Sequence, residues 1–153
     1  MARIEDIYQP TRDAIVNLPI PELPGSPWVE PRPLAQSKVA MLTSAALHHR
    51  DEPRFAAGTA EFRVLPSTLE PADMLMSHIS INFDRTGFQR DINVAYPIDR
   101  LNELAEEGVI GSVADKHYSV MGSTDPATMS ETAERLAEQL QADGVDTLLL
   151  CPV

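Results

Sequence analysis

The sequence predicts an α/β domain built on an open, mainly parallel sheet flanked by helices, preceded by a proline-rich N-terminal arm. Three observations carry that expectation. Lys38–Thr43, KVAMLT, is a short apolar run of strand length after a polar step. Ile98, Leu101, Leu104 and Ala105 fall at helical spacing and run into Gly108, a helix stop. Residues 125–151 read as cap, amphipathic helix, glycine and apolar strand. That is the half of a βαβ unit that returns a chain to a parallel sheet.

The elements follow in order. Residues 1–36 hold Pro10, Pro19, Pro21, Pro24, Pro27, Pro31 and Pro33. A short helix fits residues 4–16, where Ile4, Ile7, Ile15 and Val16 share one side. Beyond it each proline removes a backbone donor and restricts its predecessor, so the stretch reads as an extended arm. Trp28, the one tryptophan, is the expected anchor, over the domain's own core or over a partner subunit. Residues 37–153 then form the α/β domain. Strands are expected at 38–43, 62–65, 75–81 and 145–151, and helices at 98–107 and 126–143. Asp125-Pro126 opens the last helix with a cap and a first-turn proline, and Gly144 ends it. Asp84-Arg85-Thr86-Gly87 reads as a turn.

Composition bounds the function. The chain has 153 residues, 43% of them hydrophobic, enough for one domain with a sizeable core. Aromatics make up 5%, so that core is aliphatic. Twelve basic residues against 23 acidic ones give a formal charge of −11, which argues against binding nucleic acid or an anionic membrane surface. No apolar stretch approaches the roughly 18 residues of a membrane span. The acidic residues of the first segment do not fit a signal peptide, so the expected setting is the cytoplasm. A single cysteine, Cys151, rules out an internal disulfide and a cysteine-rich zinc site. Neither GxGxxG nor GxxxxGK[ST] is present, so no dinucleotide or P-loop reading stands.

The candidate chemistry concentrates between Ser77 and Gly122. His78 closes an apolar run. Arg85 beside Asp84 reads as a structural ion pair or as a fork that grips a substrate carboxylate. Asp91 stands two residues before Asn93, and His117-Tyr118 lies between two apolar pieces. Outside that stretch, His48 and His49 follow the first strand, where ligands bind in open α/β sheets. The four histidines could form a metal site with Asp51, Asp84 or Asp91, but HxxxH and HxH spacings are missing and no metal is expected. For each, hydrogen bonding to nearby backbone is the competing structural role. Cys151, at the end of an apolar strand, reads either as an inert small hydrophobe or as a nucleophile.

The run DRTGxxxDINVxxPxDRLxELxxxGxIGxxAxxHYSxMG, read here from Asp84 to Gly122, resembles the selenoprotein B family. That family comprises the substrate-specific B components of glycine, sarcosine and betaine reductases and the B subunit of D-proline reductase. The resemblance runs from about residue 38 to residue 153. It implies a reductase subunit that cleaves a C–N bond alpha to a carboxylate in a small amino-acid or betaine-like substrate. It further implies a selenocysteine or cysteine nucleophile just beyond Val153, a thioredoxin-like dithiol donor, and a pyruvoyl group on a partner subunit. None of these cofactors is expected within the chain itself. The chain stops at a strand's carboxyl end, which is read as the place where a selenocysteine codon is taken for a stop. On this reading His78, His117 and Cys151 are catalytic candidates, and His48, Asp84, Arg85, Asp91 and Tyr118 are substrate-binding candidates. Thr43–Asp51, His78–Gly87, His117–Gly122 and Cys151–Val153 are expected to gather at the carboxyl edge of the sheet. A homo-oligomer is expected, with the arm crossing its interface. The alternative is a non-catalytic subunit, complete at Val153, that holds a small carboxylate or a partner protein.

Overall fold

The computed structural model describes residues 3–17, 25–26, 28–80 and 85–153. The chain runs α1 (Gln9–Val16), β1 (Lys38–Thr43), β2 (Leu47–His49), β3 (Phe62–Pro66), β4 (Met74–Met76) and α2 (Thr86–Arg90). It continues through α3 (Ile98–Glu106), β5 (Ser112–Val113), β6 (Lys116–Val120), α4 (Ser130–Ala142) and β7 (Thr147–Cys151), with short 3-10 turns between.

Strand β1 is the axis of a mixed, mostly parallel sheet. One edge pairs with β7 along its length, from Val39 opposite Thr147 to Thr43 opposite Cys151. The other edge is shared. Lys38 and Val39 pair with β5, and Leu42 and Thr43 pair with β6, all parallel. Strand β3 lies antiparallel outside β6. Five of the six residues of β1 are apolar or small, as a strand covered on both faces requires. On one face Val39, Met41 and Leu65 meet Tyr96, Ile98 and Leu101 around α3, with Leu47 and Met74 alongside. Burying an aliphatic side chain of this kind stabilises by about 1.5–3 kcal/mol, so this cluster holds the fold. Helix α4 lies against β3 and β6. Its Arg135 guanidinium sits 5.4 Å from the Phe62 ring centre, and Asp143 pairs with Lys116 at 3.0 Å.

The α/β expectation holds, with differences in detail. The strand expected at 75–81 is the three-residue β4, and it is outside the parallel sheet. It pairs antiparallel with β2, His48 opposite Leu75. Ser77 N–H still donates to Ala46 O, next to β2, at 3.0 Å, and then a local bond captures the backbone, Ser80 N–H donating to His78 Nδ1 at 3.1 Å. The strands not expected are β2, β5 and β6, of which β6 is the longest. Its KHYSV sequence carries three polar side chains, yet four of its five residues are buried. Arg85 and Gly87 belong to the start of α2 rather than to a free turn. The helix expected at 126–143 opens as a 3-10 turn, capped by Asp125, which accepts from Ala127 N–H at 3.0 Å, before α4 proper. Gly144, at φ +67°, ends it as expected.

Of the arm, α1 forms, while Pro19, Pro21, Pro24 and Pro27 lie outside the described residues. Trp28 is 88% exposed and caps no core of this chain. The end of the arm is tied down: Arg32 pairs with Asp146 at 2.6 Å, and Gly111 N–H donates to Leu34 O at 2.9 Å. No helix among the described residues is long and apolar enough to cross a membrane.

Candidate functional site

The carboxyl ends of β1, β6 and β7 meet at Ser44. Its N–H donates to Cys151 O at 3.2 Å, its hydroxyl accepts from Val153 N–H at 2.8 Å, and its carbonyl accepts from Gly122 N–H at 3.0 Å. One residue after β1 thus joins the chain after β6 to the chain after β7. Gly122 leaves room for this junction. A Cβ there would lie 2.8 Å from Ser44 O and 3.0 Å from His78 Nε2. His78 is therefore at the same edge, although β4 is not in the sheet.

His78 is buried. Its Nδ1 accepts from Ser80 N–H, which leaves the ring proton of the neutral form on Nε2, on the side of Gly122. Burial, and then the Arg85 charge, lower its pKa, so the ring is neutral at pH 7. Arg85 holds the segment from α2 by donating to His78 O.

A second histidine reaches the same region from beneath. The chain leaves β1 through Ala45 and Ala46. Ala46 has φ +54°, a conformation that costs an L-residue of order 1 kcal/mol. The turn is held by Ala46 N–H donating to Val120 O at 3.0 Å and Leu47 N–H donating to Ser119 Oγ at 2.7 Å. It sends His48 inward, where it is fully buried. His48 Nδ1 lies 2.8 Å from His49 O, so Nδ1 carries the proton, and Nε2 accepts from the Ser77 hydroxyl at 2.7 Å. Ser77, His78, Arg85 and Arg54 line a cavity of about 320 Å³ with Phe55 and Met76 in its wall. Among the described residues neither guanidinium is in an ion pair.

The remaining candidates lie elsewhere. His117 lies within β6 rather than at a strand end, and its ring takes a place in the sheet. Where β5 gives way to β6, Met41 N–H donates to His117 Nδ1 at 3.0 Å. Burial pushes its pKa down to about 4, partly opposed by Asp115. Its ring meets Tyr96 edge-on with centres 5.5 Å apart. Tyr118, next in the strand, points to the opposite face, packs on Phe62, and has a hydroxyl whose pKa is raised by burial and by Asp143. The Asp91 carboxylate accepts from Asn93 N–H and Asn93 Nδ2, both at 2.9 Å, and Asn93 goes on to Asp99 at 2.8 Å. Those bonds hold its pKa low and splice the DIN segment to α3. Asp91 and Asp99 face a separate, wider cleft of about 480 Å³, in which these oxygens are already engaged. Cys151 is half-buried, and burial pushes its thiol pKa up, the reverse of what a nucleophile needs. Asp84 lies outside the described residues. Among the described residues no group of three His, Cys, Asp or Glu is placed to hold a metal.

The structure thus brings together His48, His78, Arg85 and the chain end, and separates His117, Tyr118 and Asp91 from them. Sequence reasoning placed Ser44 in the loop expected at the site but passed over Ser77, Arg54 and the packing role of Gly122. Ser77 stood directly before His78 in the motif, but nothing in the sequence linked it to His48. That link depends on β2 and β4 being partners.

Comparison with known proteins bears on the same residues. The family described as glycine/sarcosine/betaine reductase selenoprotein B matches residues 16–152. The D-proline reductase subunit gamma of Acetoanaerobium sticklandii is 36% identical over 135 residues, covering 86% of this chain and 55% of that one. The glycine reductase complex component B subunit gamma of Symbiobacterium thermophilum is 28% identical over 137 residues, covering 84% and 32%. The sarcosine reductase complex component B subunit beta of Peptoclostridium acidaminophilum is 26% identical over 133 residues, covering 84% and 30%. The chain spans about half the length of the first of these and about a third of the others. No solved structure matches.

Proposed function

Because this chain belongs to the glycine/sarcosine/betaine reductase selenoprotein B family, we propose that it is a subunit of a reductase complex that cleaves a C–N bond alpha to a carboxylate. The observation that carries the reading is the junction at Ser44. It holds Val153 at the edge where His78 presents its Nε2 side and Arg85 stands behind it. A selenocysteine or cysteine following Val153 would enter that edge. Its selenolate or thiolate would form a bond to the alpha carbon as the C–N bond breaks and the amine leaves. The nitrogen leaves from its ammonium form and needs no added proton, so neutral His78 would hold the substrate by donating a hydrogen bond from Nε2–H. A thiolate of a thioredoxin-like dithiol would then attack the selenium or sulfur, breaking its bond to the alpha carbon, which takes up a proton. The second thiolate would displace the selenolate or thiolate, so the dithiol supplies both electrons and becomes a disulfide. A pyruvoyl group on a partner subunit would activate the substrate amine. The setting proposed is cytoplasmic, in an oligomer that covers Trp28 and Val29, 88% and 83% exposed.

One observation favours a binding role for residues 1–153 taken alone. Burial raises the pKa of Cys151, and it sits against the core rather than in the cavity. Mass spectrometry of the protein from its source cells separates the readings. The expected peptide runs past Val153 and carries selenium or a further cysteine, and the purified complex releases amine from glycine, sarcosine, betaine or D-proline with a dithiol. A peptide ending at Val153, with no dithiol-dependent amine release, overturns the reductase reading.

A further inference from the structure

The Ser77–His48 pair fixes which hydrogen-bonding partner the cavity accepts. His48 is fully buried, and both ring nitrogens are committed. A carbonyl can only accept, so the 2.8 Å contact with His49 O places the proton on Nδ1. Nε2 is then an acceptor, and the 2.7 Å contact to Ser77 Oγ consumes the serine's only proton. Ser77 therefore shows the cavity an oxygen that can accept but not donate. Beside it stand Arg54 and Arg85, which can donate but not accept.

We infer that this cavity recognises a small zwitterion bearing at least one N–H: the two guanidinium groups take the carboxylate and Ser77 Oγ accepts from a primary or secondary ammonium. The inference rests on the amine-carboxylate chemistry proposed above and narrows it. A quaternary ammonium has no proton to give, and binding it would leave the Ser77 oxygen without its partner. A volume of about 320 Å³, at the small end of ligand pockets, suits a molecule of few heavy atoms. Phe55 and Met76 provide an apolar wall for its carbon atoms. His48 acts through Ser77. It is a positioning residue that fixes the direction of the serine proton.

Glycine, sarcosine and betaine test this directly, since they share one carboxylate and one carbon spacing while their N–H count falls from three to two to none. Calorimetric titration of the full chain is expected to show betaine binding at least about tenfold more weakly than sarcosine, or about 1.4 kcal/mol. Ser77→Ala is expected to abolish that difference by weakening sarcosine alone. Arg54→Gln is expected to weaken all three ligands together. Betaine binding as tightly as sarcosine overturns the inference, as does the absence of any binding at 10 mM, roughly the weakest affinity calorimetry resolves. Should Ser77→Ala fail to fold, nitrogen chemical shifts of His48 in the unaltered protein decide. Protonation on Nδ1 is expected, and protonation on Nε2 would turn the serine proton into the cavity and end the argument. Reductase turnover plays no part in this test. Binding in the expected order without dithiol-dependent reduction sinks the reductase reading and leaves the zwitterion site standing. Reduction of betaine with the wrong binding order does the reverse.

Discussion

Acidification should unfold this protein through His117 before its carboxylates titrate. His117 is fully buried in β6, and Met41 N–H donates to its Nδ1. Protonation of that nitrogen removes the acceptor and places a charge between Tyr96 and the sheet. The sign follows from linkage. The ordinary value of 6.5 applies to the unfolded chain and about 4 to the folded one, so between these the unfolded state binds more protons. The stabilisation is fully present above pH 6.5 and is lost as the pH falls toward 4. A drop of that size corresponds to about 3 kcal/mol. With a urea slope of about 2 kcal/mol per molar, the midpoint should fall by about 1.5 M between pH 7 and pH 4. His78, whose pKa is also lowered, adds to the same slope, so a variant must isolate His117. His117→Asn serves, because its amide oxygen can occupy the Nδ1 position without titrating. The variant is expected to be less stable at pH 7, by about 1–3 kcal/mol for the lost ring, but to show a flatter pH dependence. Parallel slopes for the two proteins from pH 7 to pH 4, or a His117 titration near 6.5 by NMR, would refute the reasoning.

Two further outcomes are expected. Gly122→Ala should lower thermal stability, with a cost of about 1–3 kcal/mol for forcing a methyl against Ser44 O and His78 Nε2, and should shift the His78 ring resonances. An unchanged melting point with unchanged resonances would place Gly122 outside the junction. Cys151 should alkylate slowly at pH 7, because burial keeps its thiol protonated, and its rate should still be rising above pH 9. Fast, pH-independent labelling near neutrality would mean a thiolate and would return Cys151 to the list of nucleophiles.

What could be read from the sequence divides along a physical line. Strands β1 and β7 and helices α3 and α4 are legible because each has an apolar period and a clear stop, and local pattern settles such elements. Strand β6 was not, because Lys116, His117 and Ser119 break the period. Their partners are distant in sequence: Asp143 for Lys116, Met41 N–H for His117 Nδ1 and Leu47 N–H for Ser119, while His117 Nε2 has no partner among the described residues. A polar strand at the centre of a sheet is stable only after the fold has formed around it, so no window of sequence reports it. The same holds for the site. His78 and Arg85 stood out by residue type, and their proximity to the chain end follows from strand ends sharing an edge. The partnership of His48 with Ser77 spans 29 residues and depends on β2 pairing with β4 in a register that neither segment advertises. Asp91 illustrates the converse. Its motif looked like ligand chemistry, but Asn93 and Asp99 lie close enough in sequence to absorb it locally. A carboxylate with an amide two residues on is more economically a cap than a substrate clamp, since its acceptors are consumed before any ligand arrives. That distinction assigns function here. The polar groups of the DIN segment are spent on one another, whereas at the cavity Ser77 keeps acceptor capacity and Arg54 and Arg85 keep donors that the described residues do not fully use.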